Sequence, residues 1–153
     1  MKHTAMIILV CLLSCKAQKK EQLVAGEKSS DMVLIAEDAF SGITEFEAMV
    51  IGDAKSLNKF YSQINKTRKP GLPIPIVDFS RDMVVVVCMG AQRGEVIPVV
   101  SKYDGNEDKT LITIELPNGK DQVKVENLPV SSPFYVYKMP NTSKTVNFQK
   151  LGW

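Results

Sequence analysis

Cysteines, histidines and paired carboxylates are the side chains whose spacing carries covalent or metal chemistry, and this chain uses them sparsely. The only histidine is His3, in an apolar N-terminal stretch. Past that stretch no imidazole is left to activate a serine or a thiol, which removes Ser-His-Asp and Cys-His schemes. None is left to ligate zinc either. The cysteines are Cys11, Cys15 and Cys88. Cys88 stands alone in an apolar run, so a small buried hydrophobe is expected there rather than a nucleophile or redox thiol. Glu37, Glu45, Glu47, Asp78, Asp82 and Glu95 have no spacing that ranks one pair above another, because hydrolytic carboxylate pairs meet only in space. They are expected to be surface acids. Asp104, Asn106 and Asp108 make an acidic loop but lack the other ligands and the terminal Glu of a calcium loop, so a solvated hairpin turn is expected. Ser131, Ser132 and Lys138 have no S-x-x-K spacing. No Gly-rich phosphate cradle follows a strand. The chain is expected to be no enzyme and to hold no metal or cofactor.

The N-terminus carries a different chemistry. Lys2 and His3 precede an almost unbroken apolar run over residues 4–13. That run is too short for a bilayer core, which needs about 20 residues, and it fits the apolar region of a secretory signal. It ends at Leu12-Leu13-Ser14-Cys15, which resembles the lipobox of bacterial lipoproteins: aliphatic, small, then Cys. The resemblance implies that residues 1–14 are a signal peptide cleaved after Ser14, and that the Cys15 thiol accepts diacylglycerol. Each buried methylene then contributes about 0.8 kcal/mol of membrane affinity, so two or three chains anchor stably. An ordinary secretory leader is the alternative. Lys16, rather than Asp, follows Cys15, which by resemblance to sorted lipoproteins favours the outer membrane. With Cys11 removed and Cys15 acylated, Cys88 has no disulfide partner. Residues 15–31 are polar, Lys-rich and aperiodic, and read as a flexible tether.

The elements behind it suit one globular domain over residues 32–153. Of the 153 residues, 44% are apolar and 24% charged, an ordinary globular balance. Net charge is +2, and loss of the leader brings it nearer to zero, so there is no general drive toward nucleic acid. Met32–Ala36 and Phe46–Ile51 read as strands, with a turn at Ala39–Gly42. Asp53 is placed to cap a helix from Ala54 to about Lys66. Leu57, Phe60, Tyr61 and Ile64 form its apolar face, and Lys66, Arg68 and Lys69 complement its C-terminus. Residues 70–75 (PGLPIP) must be a stiff, extended connection. Met83–Met89 is apolar throughout, which predicts a central strand covered on both faces. Further strands are expected at Val96–Tyr103, with Pro98 marking an edge or bulge. Others are expected at Lys109–Leu116, Gln122–Glu126, Phe134–Met139 and Thr145–Leu151. The order predicts an α+β fold: a mostly antiparallel sheet of about six to eight strands with one packed helix.

Two features suggest binding. Leu72, Ile74 and Ile76 lie on the Pro-rich arm, which presents them to a partner if exposed and to the core if not. Strand alternation puts Tyr135 and Tyr137 on one face and Phe134 and Val136 on the other. The tyrosine face is a candidate platform for a protein or a glycan, or else it lines the sheet.

One long pattern resembles a known family. A helix is followed by the Pro-rich segment, then Ile76-Val77-Asp78-Phe79-Ser80, then Met83 through Gly90 (MVVVVCMG), and late in the chain Ser132 through Pro140 (SPFYVYKMP). Over about residues 54–151 this is similar to the PrcB-like family of protease complex-stabilising lipoproteins. Where that family has a Gly-Gly-Tyr turn, this chain has Arg93-Gly94-Glu95. The resemblance implies a non-catalytic subunit that binds or steadies an envelope protease. The expected function is therefore a lipid-anchored, protein-binding envelope protein. The alternative is a glycan- or small-ligand-binding lipoprotein using Tyr135, Tyr137 or Trp153.

Overall fold

A computed structural model describes residues 27–29, 31–94, 96–105, 108–117 and 128–153. Ser14, Cys15, the tether up to residue 26 and the strand expected at Gln122–Glu126 lie outside the described residues. In chain order the elements are β1 (Glu27–Ser29), β2 (Val33–Asp38), β3 (Glu47–Ile51), α1 (Ala54–Ile64), β4 (Asp82–Cys88) and β5 (Gln92–Arg93). Then come β6 (Val99–Asp104), β7 (Lys109–Glu115), β8 (Val130–Ser131), β9 (Phe134–Pro140) and β10 (Thr145–Leu151).

The apolar run at β4 organises the molecule. It sits inside a sheet of order β2-β9-β4-β3, antiparallel throughout. Successive side chains of a strand point to opposite faces. Val84, Val86 and Cys88 therefore join Phe134 and Val136 under α1, against Leu57, Phe60, Tyr61 and Ile64. Met83, Val85 and Val87 point the other way with Tyr135 and Met139, against Ile112 and Ile114 of a second sheet. That sheet has the order β1-β6-β7-β10. Val84 to Cys88 are wholly buried, and each such aliphatic side chain contributes about 1.5–3 kcal/mol.

The α+β class, the single helix and the largely antiparallel pairing are as expected. The strands, ten among the described residues, fall into two four-stranded sheets and a two-stranded ladder. One helix covers only one face of a strand that is apolar on both, and the second sheet covers the other. Phe134–Pro140 and Thr145–Leu151 therefore separate into different sheets, and β10 runs parallel to β7. β1 lies within the stretch expected to be tether. Its register sets Glu27 against Asp104 and Ser29 against Lys102, and the Lys102 ammonium holds Asp31 at 2.8 Å and Asp104 at 3.2 Å.

Helix α1 starts where Asp53 accepts from the Ser56 amide at 2.8 Å. Past its end, Asn65 donates to the Leu72 carbonyl at 2.9 Å and accepts from the Leu72 amide at 2.7 Å. This clamp fixes the start of the Pro-rich arm. Arg68 does not complement the helix end. Its guanidinium donates to the Asp38 carboxylate and the Phe40 carbonyl, tying the helix exit to the end of β2.

Candidate functional site

The registers give the main sheet two ends. Asp38, Phe134, Cys88 and Glu47 align at one, here called the upper end. Val33, Pro140, Asp82 and Ile51 align toward the other. At the upper end, residues 39–43 fold over the start of β9. The Ser41 hydroxyl donates to the Ser132 carbonyl at 2.8 Å, the Gly42 amide to the Ser132 hydroxyl at 3.1 Å, and the Ser132 amide to the Ala39 carbonyl at 2.9 Å. Both serines are buried, and these bonds satisfy polar groups that are costly to leave bare.

Beside this staple lies a cleft of about 610 Å³. One wall is the end of β2, Glu37 to Phe40. The opposite wall is the β5–β8 ladder with Gln92, Gly94 and Val130. Ile97, just before β6, and Tyr135 complete the lining. Phe40, Ile97 and Val130 are 55%, 58% and 50% exposed, so three segments bring bare apolar groups to one place. Gly94 has φ +80°, and a Cβ there would meet the Leu128 methyl at 3.0 Å. The Gln92 side-chain amide nitrogen is buried with no hydrogen-bond partner among the described residues. Phe40 also walls a second hollow of about 580 Å³ beside Gln63, Lys66 and Arg68.

The sequence candidates fall in different places. Tyr135 is 6% exposed, and Tyr137 is half-buried against the core between the sheets. The tyrosine face is thus no open platform, because the second sheet covers it. Tyr135 alone reaches the cleft. Burial pushes the Tyr137 hydroxyl up to about 12, helped by the charges of Tyr135 and Glu37. Leu72 turns inward onto the helix-side core with Val77 and Phe79. Ile74 is 42% exposed and Ile76 wholly exposed, so only the outward positions of the arm are open to a partner. Trp153 closes on Phe46 at 4.8 Å between ring centres, with the Lys150 ammonium 4.1 Å from its ring. It is not among the lining residues of either hollow.

No reactive arrangement emerges among the described residues. Cys88 is buried, and desolvation, with the charge of Glu47, pushes its thiol up to about 12. Thiolate is then scarce at neutral pH. Ser132 and Lys138 are six residues apart along one chain, about 20 Å at strand rise, and the Lys138 ammonium faces Asp82 at 3.5 Å. Burial alone raises Asp38, but the Arg68 hydrogen bond and charge leave its carboxyl below the usual range. A charged carboxylate held by a guanidinium is a poor general acid. The described residues contain no cluster of His, Cys, Asp or Glu able to hold a metal ion.

The sequence offered little to find the cleft. Phe40, Ile97 and Val130 come from three short segments separated by long stretches of chain, with no periodicity that links them. Of the candidate binding residues, Tyr135 alone lies in the cleft's lining. No family model, curated protein or solved structure matches this chain.

Proposed function

We propose that this is a lipid-anchored cell-envelope protein that binds another protein without catalysing a reaction, and that the upper cleft is its binding site. The rim carries the reading: Phe40, Ile97 and Val130 are about half-exposed and converge on one apolar hollow. A grouped set of bare apolar side chains marks an interaction surface, whereas single ones scattered over a surface do not. Covering the exposed half of each contributes about 1 kcal/mol. The Gln92 amide beside them, without a hydrogen-bond partner among the described residues, suits a partner that brings a carbonyl oxygen, as an extended polypeptide does. Gly94, from the turn the resemblance singles out, lies in the same wall. The resemblance makes an envelope protease the first partner to look for. The anchor rests on Cys15 and the lipobox before it, with the outer membrane favoured.

The test places a photo-crosslinking residue at Ile97 in intact cells, followed by tag purification and mass spectrometry. The expected result is one polypeptide recovered in near-equal amount and lost when Phe40 or Val130 is changed to Glu. Recovery of the lipoprotein alone sinks the proposal. A glycan or small ligand is the second reading, favoured by Tyr135 in the lining and by a volume within the roughly 300–1,000 Å³ usual for small-molecule sites. A compound that raises the melting temperature of the wild type but not of Val130→Glu would put that reading first.

A further inference from the structure

We infer that the chain's entry point turns the cleft away from the lipid, toward a protein standing in the aqueous space of the envelope. This rests on the proposed anchor at Cys15. β1 is the first described element, and Glu27 lies opposite Asp104 at the C-terminal end of β6. The cleft residue Ile97 precedes the other end of β6, where Val99 lies opposite Glu115. At strand rise, entry and cleft are about 20 Å apart along the sheet. The entry is held firmly: Lys102, 7% exposed, binds Asp31 and Asp104 on either side of it.

Eleven residues, 16–26, separate Cys15 from Glu27. Even fully extended, a segment of that length reaches at most about 40 Å, which keeps the entry point near the anchored end. Lys16, Lys19 and Lys20 lie within it, and anionic headgroups attract such residues. The end carrying Asp104, Asp108 and the turn at 141–144 then faces the bilayer, since the Thr145 amide donates to the Asp108 carbonyl there. Acidic and basic groups are mixed at that end, so the orientation follows from the entry point and not from surface charge. The apolar rim at the far end meets a polypeptide in water rather than acyl chains.

The experiment uses the lipid-bearing protein purified from membranes and reconstituted into vesicles of phosphatidylethanolamine and phosphatidylglycerol containing a headgroup quencher. A fluorophore is attached at Ser143→Cys or at Ala91→Cys, both exposed positions at opposite ends. Cys88 is buried and does not compete for the label. The expected result is several-fold stronger quenching at position 143 than at 91. Equal quenching, stronger quenching at 91, or none at 143 in protein that floats with the vesicles overturns the orientation. Protein that fails to float sinks the anchor reading, and the orientation with it. Quenching at 91 by acyl-chain quenchers would mean that the cleft takes lipid.

Discussion

Tyr61 is the side chain whose chemistry fits its place least well. It is 1% exposed on the buried face of α1, and its hydroxyl has no hydrogen-bond partner among the described residues. Its ring packs at right angles to Phe60, with centres 5.6 Å apart. The ring stabilises and the bare hydroxyl costs, so Tyr61→Phe should leave stability unchanged or raise it by up to about 1 kcal/mol in urea unfolding. A loss of similar size would mean that the hydroxyl has a partner after all. Gly90 should behave in the opposite way. Its φ is +77°, and a Cβ would stand 2.9 Å from the Thr44 carbonyl oxygen and 3.0 Å from the Phe46 nitrogen. That backbone cannot retreat, because the neighbouring Ala91 amide donates to the same Thr44 carbonyl at 2.9 Å. Gly90→Ala should therefore cost more than about 1 kcal/mol in the same measurement. The Gly that ends the MVVVVCMG pattern is thus a packing requirement, visible in sequence as a residue type but not as a reason.

At the scale of elements, α1 was the most legible. Its cap, its start and all four buried positions follow from spacing alone, because a helix keeps its signal within a dozen adjacent residues. The cap also gives a pH-resolved prediction. Hydrogen bonds from the Ser56 amide and hydroxyl hold the Asp53 carboxyl below the usual range. A depressed folded-state value stabilises above the unfolded value and is lost as pH falls through the folded one. Asp53→Ala should lower the melting temperature at neutral pH, and the gap from wild type should close as pH drops below about 4. A gap that persists in acid would show that the carboxylate is not what caps the helix. β4 was legible as a doubly covered strand, but what covered it was not. The second sheet depends on pairings such as β10 with β7, whose partners are 36 residues apart, Thr145 against Lys109, and no local pattern records such a choice. The ladder of β5 and β8 is two residues long and leaves no alternation to read. The cleft was hidden for the same reason, being built from the end of β2, the β5–β8 ladder and the residues before β6, which are far apart in the chain.

For the whole molecule, ionisation sets a window of stability with identifiable groups at each edge. On the acid side, burial raises the Asp31 carboxyl, but hydrogen bonds from Lys102 and Ser29 and the Lys102 charge leave it lowered. Asp38 is lowered on balance beside Arg68, and Asp78 is lowered by its bonds from Ser80. Each contributes stability that is present above the unfolded carboxylate value of 3.8 and fades as pH falls through the depressed folded values. On the basic side, burial lowers the Lys102 ammonium, but Asp31 and Asp104 raise it overall. Its contribution is complete below 10.5 and is lost above. The Tyr61 and Tyr137 hydroxyls and the Cys88 thiol are pushed to about 12 by burial, whereas in the unfolded chain they ionise near 10.0 and 9.0. The unfolded state therefore sheds protons first, and stability declines as pH rises from about 9 toward 12. Urea unfolding across pH should show a plateau between about pH 5 and 8 with losses on both sides. Tyr61→Phe should shallow the basic limb and leave the acid limb untouched, because it removes one of the groups that ionise only on unfolding. If that variant steepens the basic limb, or shifts the acid one, Tyr61 is coupled to groups beyond its apolar neighbours, and its hydroxyl is not the bare group that its burial indicates.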